Sequence, residues 1–199
     1  GWKACMLYFH LWRKGRITLE ELDSYCQPGS KWIGLAEPIH PDIPFAGGSM
    51  GAGLSAGCAY AWSWKQQKKN GHIYILESDG GMQVGINWEA LWFADQHQLN
   101  NLIFVIDSNG FQAMSATENI LSMKRLSVKL KAFGWQVYEV NGHSCKDIEK
   151  VLRQKSIRPK AIIAKTHKGF PISFMTDKNL FHYKQLDKSE FDRAAEELK

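Results

Sequence analysis

Apolar and polar residues follow one another along the chain in blocks that predict strands and helices in alternation. Short runs rich in isoleucine, leucine and valine predict buried strands over residues 72–76, 102–106 and 161–164, and an alternating run predicts another over residues 135–140. Apolar positions at helical spacing predict helices over residues 6–12, 18–25, 49–65, 87–97, 126–133 and 145–154, and a last one from residue 189. This alternation predicts an α/β fold, a doubly wound and mostly parallel sheet with helices on both faces.

The totals are those of one folded domain, which we expect to span residues 1–199. Hydrophobic residues make up 44% of the chain and charged residues 23%, as in ordinary globular proteins. No apolar run approaches the roughly 20 residues that cross a bilayer, and the first residues lack the pattern of a signal peptide, so we expect a cytoplasmic protein that binds no membrane. The net charge of +5 comes from lysines spread along the chain, which argues against a nucleic-acid site.

The four cysteines indicate neither a zinc cluster nor a disulfide framework. Cys5, Cys26, Cys58 and Cys145 lie far apart and form no CxxC pair. We therefore expect small buried or half-buried thiols.

A glycine-rich stretch, GAGLSAG at residues 51–57, lies near the start of the third predicted helix. It resembles a dinucleotide-binding fingerprint, but that motif needs a strand just before it, and residues 44–48 are not an apolar run. Two other interpretations stay open: close packing of the helix against its neighbours, or a helix start whose free amides hold a phosphate. The preceding residues 27–48 form an irregular stretch rich in proline, and long loops of this kind tend to be functional.

Two predicted strands each end in a short polar segment with glycine. SDGG, residues 78–81, follows the first strand, and DSNG, residues 107–110, follows the second one after an intervening helix. Because a strand-helix-strand unit brings both strand ends to one edge of a parallel sheet, we expect Asp79 and Asn109 to lie close together. Their hard oxygen atoms suit Mg²⁺, which usually bridges to phosphate groups. Asp-Gly and Asn-Gly are also common turn dipeptides, so a purely structural role is an equal alternative.

Taken together, these segments resemble the thiamine diphosphate signature of the transketolase family. SDGGMQVGINWEA followed by NLIFVIDSNGFQ is similar to the family's GDG with an asparagine one strand-helix-strand unit later. GSMGAGLSAGCAYA resembles its GPLGQGLS-type helix start, GWQV (residues 134–137) its GW-V strand, VNGH (residues 140–143) its V-GH turn, and FH (residues 181–182) its WHG segment. The resemblance covers nearly the whole chain and implies the thiamine diphosphate-binding fold, as in the separate amino-terminal subunit of a split transketolase.

The resemblance implies a role for each matching residue. Asp79, Asn109 and the carbonyl of Phe111 would bind Mg²⁺, and the amides around Gly80 and Gly81 would hold the diphosphate of thiamine diphosphate. Other matching residues would line the cofactor or the reacting carbon. They are Gly48, Ser49 and Met50 before the third helix, Lys168 in THKG, and two candidate catalytic histidines, His40 in IHP and His182.

Three departures from the family pattern bear on the chemistry. Trp2 stands where the histidine of SKGH is expected, so one substrate-handling imidazole is lost. Ser78 replaces the first glycine of GDG, which is tolerable if its backbone stays in the strand. Val84 replaces a glutamate that in the family lies at the subunit interface and links the two active sites.

The resemblance implies a transketolase-like transferase subunit that moves a ketol or acyl unit by cleaving and forming carbon–carbon bonds. The family takes the glutamate that activates the cofactor from a pyrimidine-binding domain. We therefore expect activity only with a separate carboxyl-terminal, pyrimidine-binding subunit in a heterotetramer, acting on a small-molecule ketose or 2-oxoacid. Two alternatives stay open: a subunit of a two-chain 2-oxoacid decarboxylase, suggested by Trp2, and a non-catalytic assembly partner, suggested by Trp2 and Val84.

Overall fold

Four parallel strands form the central sheet of the protein. The structure, a computed structural model, describes residues 3–199. The strands are β1 (Ile73–Ser78), β2 (Leu102–Ser108), β3 (Gln136–Asn141) and β4 (Lys160–Lys165), in the spatial order β1-β2-β4-β3. Every neighbouring pair is parallel, which confirms the α/β sheet predicted from the sequence. Both β1 and β2 extend beyond their predicted carboxyl ends, so the polar segments begin inside the last pairs of the ladder.

The seven predicted helices are all present, and their boundaries shift by one to three residues at most ends. The largest shift is at the third helix, which begins at Ala52 rather than Ser49 because Gly51 has a φ of +84°, outside the helical region. The helices of the described residues are α1 (Ala4–Arg13), α2 (Leu19–Asp23), α3 (Ala52–Gln66), α4 (Gly85–Gln96), α5 (Thr117–Ile120), α6 (Leu126–Ala132), α7 (Cys145–Leu152) and α8 (Lys188–Glu197), with 3₁₀ helices at Gly81–Gln83 and Asn179–His182. The sequence does not predict α5 and the two 3₁₀ helices, because elements of three or four residues are too short to show a recognisable period.

Helices cover both faces of the sheet, as predicted, but unequally. On one face α3, α4 and α6 pack over the strands, and Leu54, Leu91 and Leu130 from these helices share the main core with Phe104 of β2. On the other face α7 contributes Val151 to a smaller cluster. Burial from both sides leaves the carboxyl ends of the strands as the edge where the loops meet.

A separate hydrophobic cluster is built from α1, α2 and the loop over residues 27–48. Tyr8, Trp32 and Ile43 are its buried members. The loop contains no helix or strand, as predicted, and burial of Trp32 holds it in place. Thr18 caps α2 through a capping box with Glu21.

The glycine-rich start of α3 serves close packing. A Cβ built on Gly57 would lie 2.5 Å from Ile75 of β1, and one built on Gly51 would lie 2.4 Å from Ile86 of α4. Residues 27–51 contain no strand, so the dinucleotide fingerprint lacks the context that it needs. Of the interpretations that the sequence leaves open, the structure supports close packing.

The cysteines depart from expectation. Cys5, Cys26 and Cys145 are exposed, so the prediction of buried or half-buried thiols is wrong for these three. Cys58 is buried in α3, and burial raises the pKa of its thiol to about 12.

None of the helices in residues 3–199 combines the length and the apolar character needed to cross a membrane.

Candidate functional site

Asp79 follows the last residue of β1 and is almost completely buried, with 3% of its surface exposed. Its Oδ1 accepts a hydrogen bond from the Gly80 N–H at 2.8 Å, and its Oδ2 accepts one from the Gly110 N–H at 2.7 Å. Burial raises the pKa of this carboxyl, although both hydrogen bonds act against the rise. The ionised form is therefore incompletely compensated, and a bound cation would compensate it.

Asn109 and Phe111 lie in the turn after β2, directly beside Asp79. The register pairs Ser78 with Asp107, and the Asp79 N–H donates to the Asp107 carbonyl at 3.1 Å. The Asn109 Oδ1 accepts a hydrogen bond from the Phe111 N–H at 2.9 Å. The expectation that the two polar strand ends meet at one edge is confirmed, while metal binding by Asp79, Asn109 and Phe111 stays a prediction.

The donor atoms of these three residues fit Mg²⁺. They are a carboxylate, a side-chain amide and a backbone carbonyl, which are the hard oxygen ligands that Mg²⁺ prefers. Within residues 3–199 no three His, Cys, Asp or Glu side chains come together, so the described residues do not build a zinc-type cluster. The buried carboxylate of Asp79 forms no ion pair in this range, and a divalent cation would supply the missing positive charge.

Gly80 lies in the buried turn after β1, and Gly81 begins the first 3₁₀ helix. A Cβ built on Gly81 would meet the Glu77 side chain, so a larger residue there would require Glu77 to move. The Gly80 N–H donates to Asp79, and the Gly81 N–H donates to the Ser78 Oγ at 3.0 Å. Ser78 stays in β1, which meets the condition for its replacing a glycine. A diphosphate held by these amides would have to share them with the internal acceptors.

The segment before α3 carries three predicted cofactor-lining residues, Gly48, Ser49 and Met50. Ser49 and Met50 are exposed, and Gly48 is half-buried. The next residue, Gly51, donates its N–H to the Glu77 Oε2 at 3.3 Å. Because Glu77 belongs to the end of β1, this bond places the segment beside the same strand end.

Lys168 and His182 bring two further segments to this edge. Lys168 follows β4, and its Nζ lies 3.2 Å from the Nδ1 of His182 in the second 3₁₀ helix. Burial lowers the pKa of Lys168 and the nearby ammonium of Lys3 lowers it further, against the attraction of Asp107 and Asp79. Burial, followed by the charge of Lys168, also lowers the pKa of His182, so its imidazole is predominantly neutral at pH 7.

The structure adds residues to this edge that the sequence does not single out: Lys3, Asp107 and Thr166. The Lys3 ammonium forms an ion pair with the Asp107 carboxylate, and the Thr166 hydroxyl donates to the same carboxylate. Burial opposes ionisation of Asp107, but Lys3, Thr166 and the Asn109 side chain outweigh it, and the pKa lies below its usual value. Asp107 stands within DSNG, whereas no sequence signal connects Lys3 with a residue 104 positions away.

His40 makes local contacts in the loop over residues 27–48. Its Nδ1 accepts a hydrogen bond from the Asp42 N–H at 3.1 Å, and its ring centroid lies 6.2 Å from that of Trp32. The structure therefore attaches His40 to the separate hydrophobic cluster, and its catalytic role stays a prediction.

The other two departures from the family pattern have different outcomes. Trp2 lies outside the described residues. Val84 precedes α4 in an extended conformation, and its Cγ1 would lie 3.3 Å from a Cβ built on Gly51. An apolar side chain thus packs against the start of α3 where the family has a carboxylate.

The parallel sheet with polar turns at its carboxyl edge is shared with the thiamine diphosphate-binding class of α/β proteins, as the comparisons with known proteins show. The structure is similar to that of the transketolase from Campylobacter jejuni, with a TM-score of 0.80 and 28% identity over 90% of this chain and 30% of the other. Residues 1–198 match the family described as transketolase, thiamine diphosphate binding domain, and the chain belongs to this family.

Two relatives match nearly the whole chain, and each is named as one subunit of an apulose-4-phosphate transketolase. The protein from Phocaeicola vulgatus is 31% identical over 195 residues, which cover 96% of this chain and 69% of the relative. The protein from Actinobacillus succinogenes is 34% identical over 197 residues, with coverages of 96% and 71%. The chain is thus similar to proteins that are subunits by name.

Proposed function

We propose that this protein is the diphosphate-binding subunit of a thiamine diphosphate- and Mg²⁺-dependent transketolase-like enzyme, which transfers a ketol or acyl unit by cleaving and forming carbon–carbon bonds. The observation that supports this most strongly is the buried Asp79 carboxylate, which forms no ion pair in the described range and shares its edge of the sheet with Asn109. Burying a charge without compensation is costly, so the arrangement is best accounted for by a cation.

The residues of the edge divide into those for the metal and those for the diphosphate. Asp79, Asn109 and the carbonyl of Phe111 would hold Mg²⁺. Gly80 and Gly81 would face the diphosphate with backbone amides that carry no side chains of their own. When bound, the cofactor supplies a nucleophilic carbon that adds to a carbonyl and stabilises the carbanion left by carbon–carbon cleavage.

Two other side chains would act on charge and protons. The Lys168 ammonium would offset the negative charge of the diphosphate. The diphosphate would in turn raise the lowered pKa of Lys168 back toward its usual value. His182 carries a predominantly neutral imidazole because its pKa is lowered, and it can therefore accept a proton at a ring nitrogen near neutral pH. His40, from the loop over residues 27–48, would be the second catalytic histidine, beside the reacting carbon.

The outer surface of α3 and α4 suits a partner subunit. Trp92 is 71% exposed, and Tyr60, Trp62 and Phe93 are exposed on the same two helices. Exposed aromatic side chains are enriched at protein interfaces. We place here a contact within a heterotetramer that contains a separate pyrimidine-binding subunit, and activity on a ketose or 2-oxoacid would depend on that subunit.

Calorimetric titration tests this function directly. Thiamine diphosphate is titrated in the presence of Mg²⁺, and again with the metal removed by a chelator, with and without the pyrimidine-binding partner. We expect metal-dependent binding and transfer activity that requires both chains. If thiamine diphosphate and Mg²⁺ bind neither to the chain alone nor to the chain with its partner, the proposal is overturned. Release of CO₂ from a 2-oxoacid without transfer would assign the decarboxylase instead.

A further inference from the structure

Lys3 joins the start of α1 to the carboxyl edge of the sheet. It immediately precedes the first residue of α1, and its ammonium forms the ion pair with Asp107 at the end of β2. The Lys3 side chain is 40% exposed and the Asp107 side chain 22% exposed. The ammonium therefore lies on the open side of the edge, where a ligand can reach it.

The Asp107 carboxylate leaves much of the Lys3 ammonium available. Its oxygens also accept a hydrogen bond from the Thr166 hydroxyl, and the Asn109 side chain donates to the same group. An ammonium carries three N–H donors, and the contact with Asp107 is the hydrogen bond that Lys3 makes within the described residues. Donors therefore remain for an anion.

A second ammonium lies near the first. The positive charge of Lys3 contributes to the lowered pKa of Lys168. Lys168 follows β4 at the same edge, and its ammonium contacts His182. Two ammonium groups that share one edge repel each other, and an anion held between them removes this repulsion. The arrangement thus favours a negatively charged ligand at this edge of the sheet.

The charge balance leads to the same conclusion. Negative charge is already present at this edge, since Lys3 is paired with Asp107 and the carboxylates of Asp107 and Asp79 attract the Lys168 ammonium. A diphosphate carries more negative charge than one Mg²⁺ cancels, so the loaded site needs a cation that the protein can share. The Lys3 side chain is 40% exposed, so its ammonium can contact a ligand while it stays paired with Asp107.

We propose that Lys3 is an anion-binding residue of this site, whose ammonium bridges Asp107 and a phosphoryl oxygen of the ligand. The inference rests on the proposed function, which it deepens. The phosphoryl oxygen can belong to the diphosphate of the cofactor or to a phosphorylated substrate, and these two sources are separated by experiment.

The test compares four variants of the full chain by calorimetric titration with inorganic diphosphate in the presence of Mg²⁺. We expect K3M to weaken binding by about tenfold or more, since hydrogen bonds to charged groups are the strong ones, and K3R to keep most of the affinity. K14M is the matched control, because Lys14 is exposed at the other end of α1 and should leave binding unchanged. The double variant K3M/D107N restores the net charge, and we expect it to stay weak because a direct contact is lost.

The outcomes separate the inference from the proposed function. Equal binding by K3M and wild type, together with an unchanged KM for a phosphorylated substrate, would overturn the role of Lys3, as would full recovery in K3M/D107N. A raised KM for the substrate with unchanged diphosphate binding supports the role and assigns it to the substrate phosphate. If neither diphosphate nor thiamine diphosphate binds the wild type, alone or with its partner, the proposed function fails instead. Thermal unfolding monitors folding, and K3Q replaces K3M if the latter unfolds.

Discussion

The Asp79 carboxylate accepts a hydrogen bond from the Gly110 N–H at 2.7 Å, and this bond joins the turns that follow two neighbouring strands. It holds the turn that carries Asn109 against the turn that carries Asp79 itself. The residue proposed to bind the metal therefore also builds the site. A substitution that removes its charge but keeps its size tests the metal role, and the stability of the apoprotein reports on the hydrogen-bonding role.

Replacing Asp79 by Asn should remove Mg²⁺ binding without unfolding the apoprotein. Asn keeps the size of the side chain but offers no negative charge and only one acceptor oxygen, so the hydrogen bond from Gly80 or from Gly110 is lost at a cost of about 1–3 kcal/mol. Even changes outside the ligand shell weaken metal affinity by about 10- to 100-fold, and loss of a ligand should cost at least as much. Calorimetry with Mg²⁺ and thiamine diphosphate measures the loss, and D192N, at an exposed position of α8, is the control. An unchanged affinity in D79N would show that Asp79 is not a ligand.

The raised pKa of Asp79 predicts that Mg²⁺ stabilises the protein more strongly as the pH rises. Because the folded state holds this proton more tightly than the unfolded chain, the carboxyl's contribution to stability is fully present below its ordinary pKa and is lost as the pH rises through the raised value. Mg²⁺ needs the ionised form, so it competes with the proton and compensates this loss. The Tm difference with and without Mg²⁺ should grow from mildly acidic to neutral pH in the wild type and stay flat in D79N. A wild-type difference that does not change with pH would contradict this prediction.

Replacing Gly57 by Ala should destabilise the fold by about 1–3 kcal/mol, because packed cores resist additional carbon atoms. The added Cβ would lie 2.5 Å from Ile75 of β1. G53A is a matched control in the same helix, since its Cβ would lie 3.8 Å from Ile75. Ala has the higher helix propensity, so G53A should stabilise the protein by up to about 1 kcal/mol. Urea unfolding measures both, and equal effects would mean that α3 does not pack this closely on β1.

Replacing Lys160 by Met should destabilise the protein by about 1–3 kcal/mol, because buried carbonyls would lose their donor. The buried Lys160 ammonium donates to the carbonyls of Val151, Leu152 and Gln154 at the end of α7, at 3.0, 3.2 and 2.6 Å. Burial lowers the pKa of Lys160, so its charge has a cost, but these bonds compensate the ammonium.

The control for Lys160 lies at the other end of β4. K165M removes an ion pair with Glu139 in which both side chains are well exposed, and such pairs contribute less than about 1 kcal/mol. Differential scanning calorimetry compares the two variants. If K160M is as stable as K165M, the contacts of Lys160 with α7 contribute nothing.

Replacing Trp92 by Ser should weaken assembly with the partner subunit by about tenfold or more while leaving the stability of the chain nearly unchanged. The side chain is 71% exposed on α4 and therefore adds little to the core. I157S is the control, because Ile157 is 83% exposed in the segment before β4 and belongs to neither α3 nor α4. Sedimentation velocity of the mixed subunits measures assembly, and equal assembly by W92S and wild type would place the interface elsewhere.

The parts of the site that can be predicted are those built by neighbours in sequence. Asp79 and Asn109 could be placed together because one strand-helix-strand unit brings both turns to the same edge. The strand order β1-β2-β4-β3 could not be predicted in this way, because periodicity shows that a strand is buried but not which strand lies beside it. The contact between Lys168 and His182 also depends on that order and on a 3₁₀ helix too short to have a recognisable period.

The sequence by itself determined the alternating elements and the polar turns after β1 and β2, because apolar period and turn residues act over short distances. The resemblance of its motifs indicated the family, which the family match confirms. Only the tertiary structure decided that Lys3 meets Asp107, that Lys160 holds the end of α7, and that Gly57 allows α3 to approach β1. These contacts join segments whose distance is set by the packing of the whole sheet, and no local pattern carries that information.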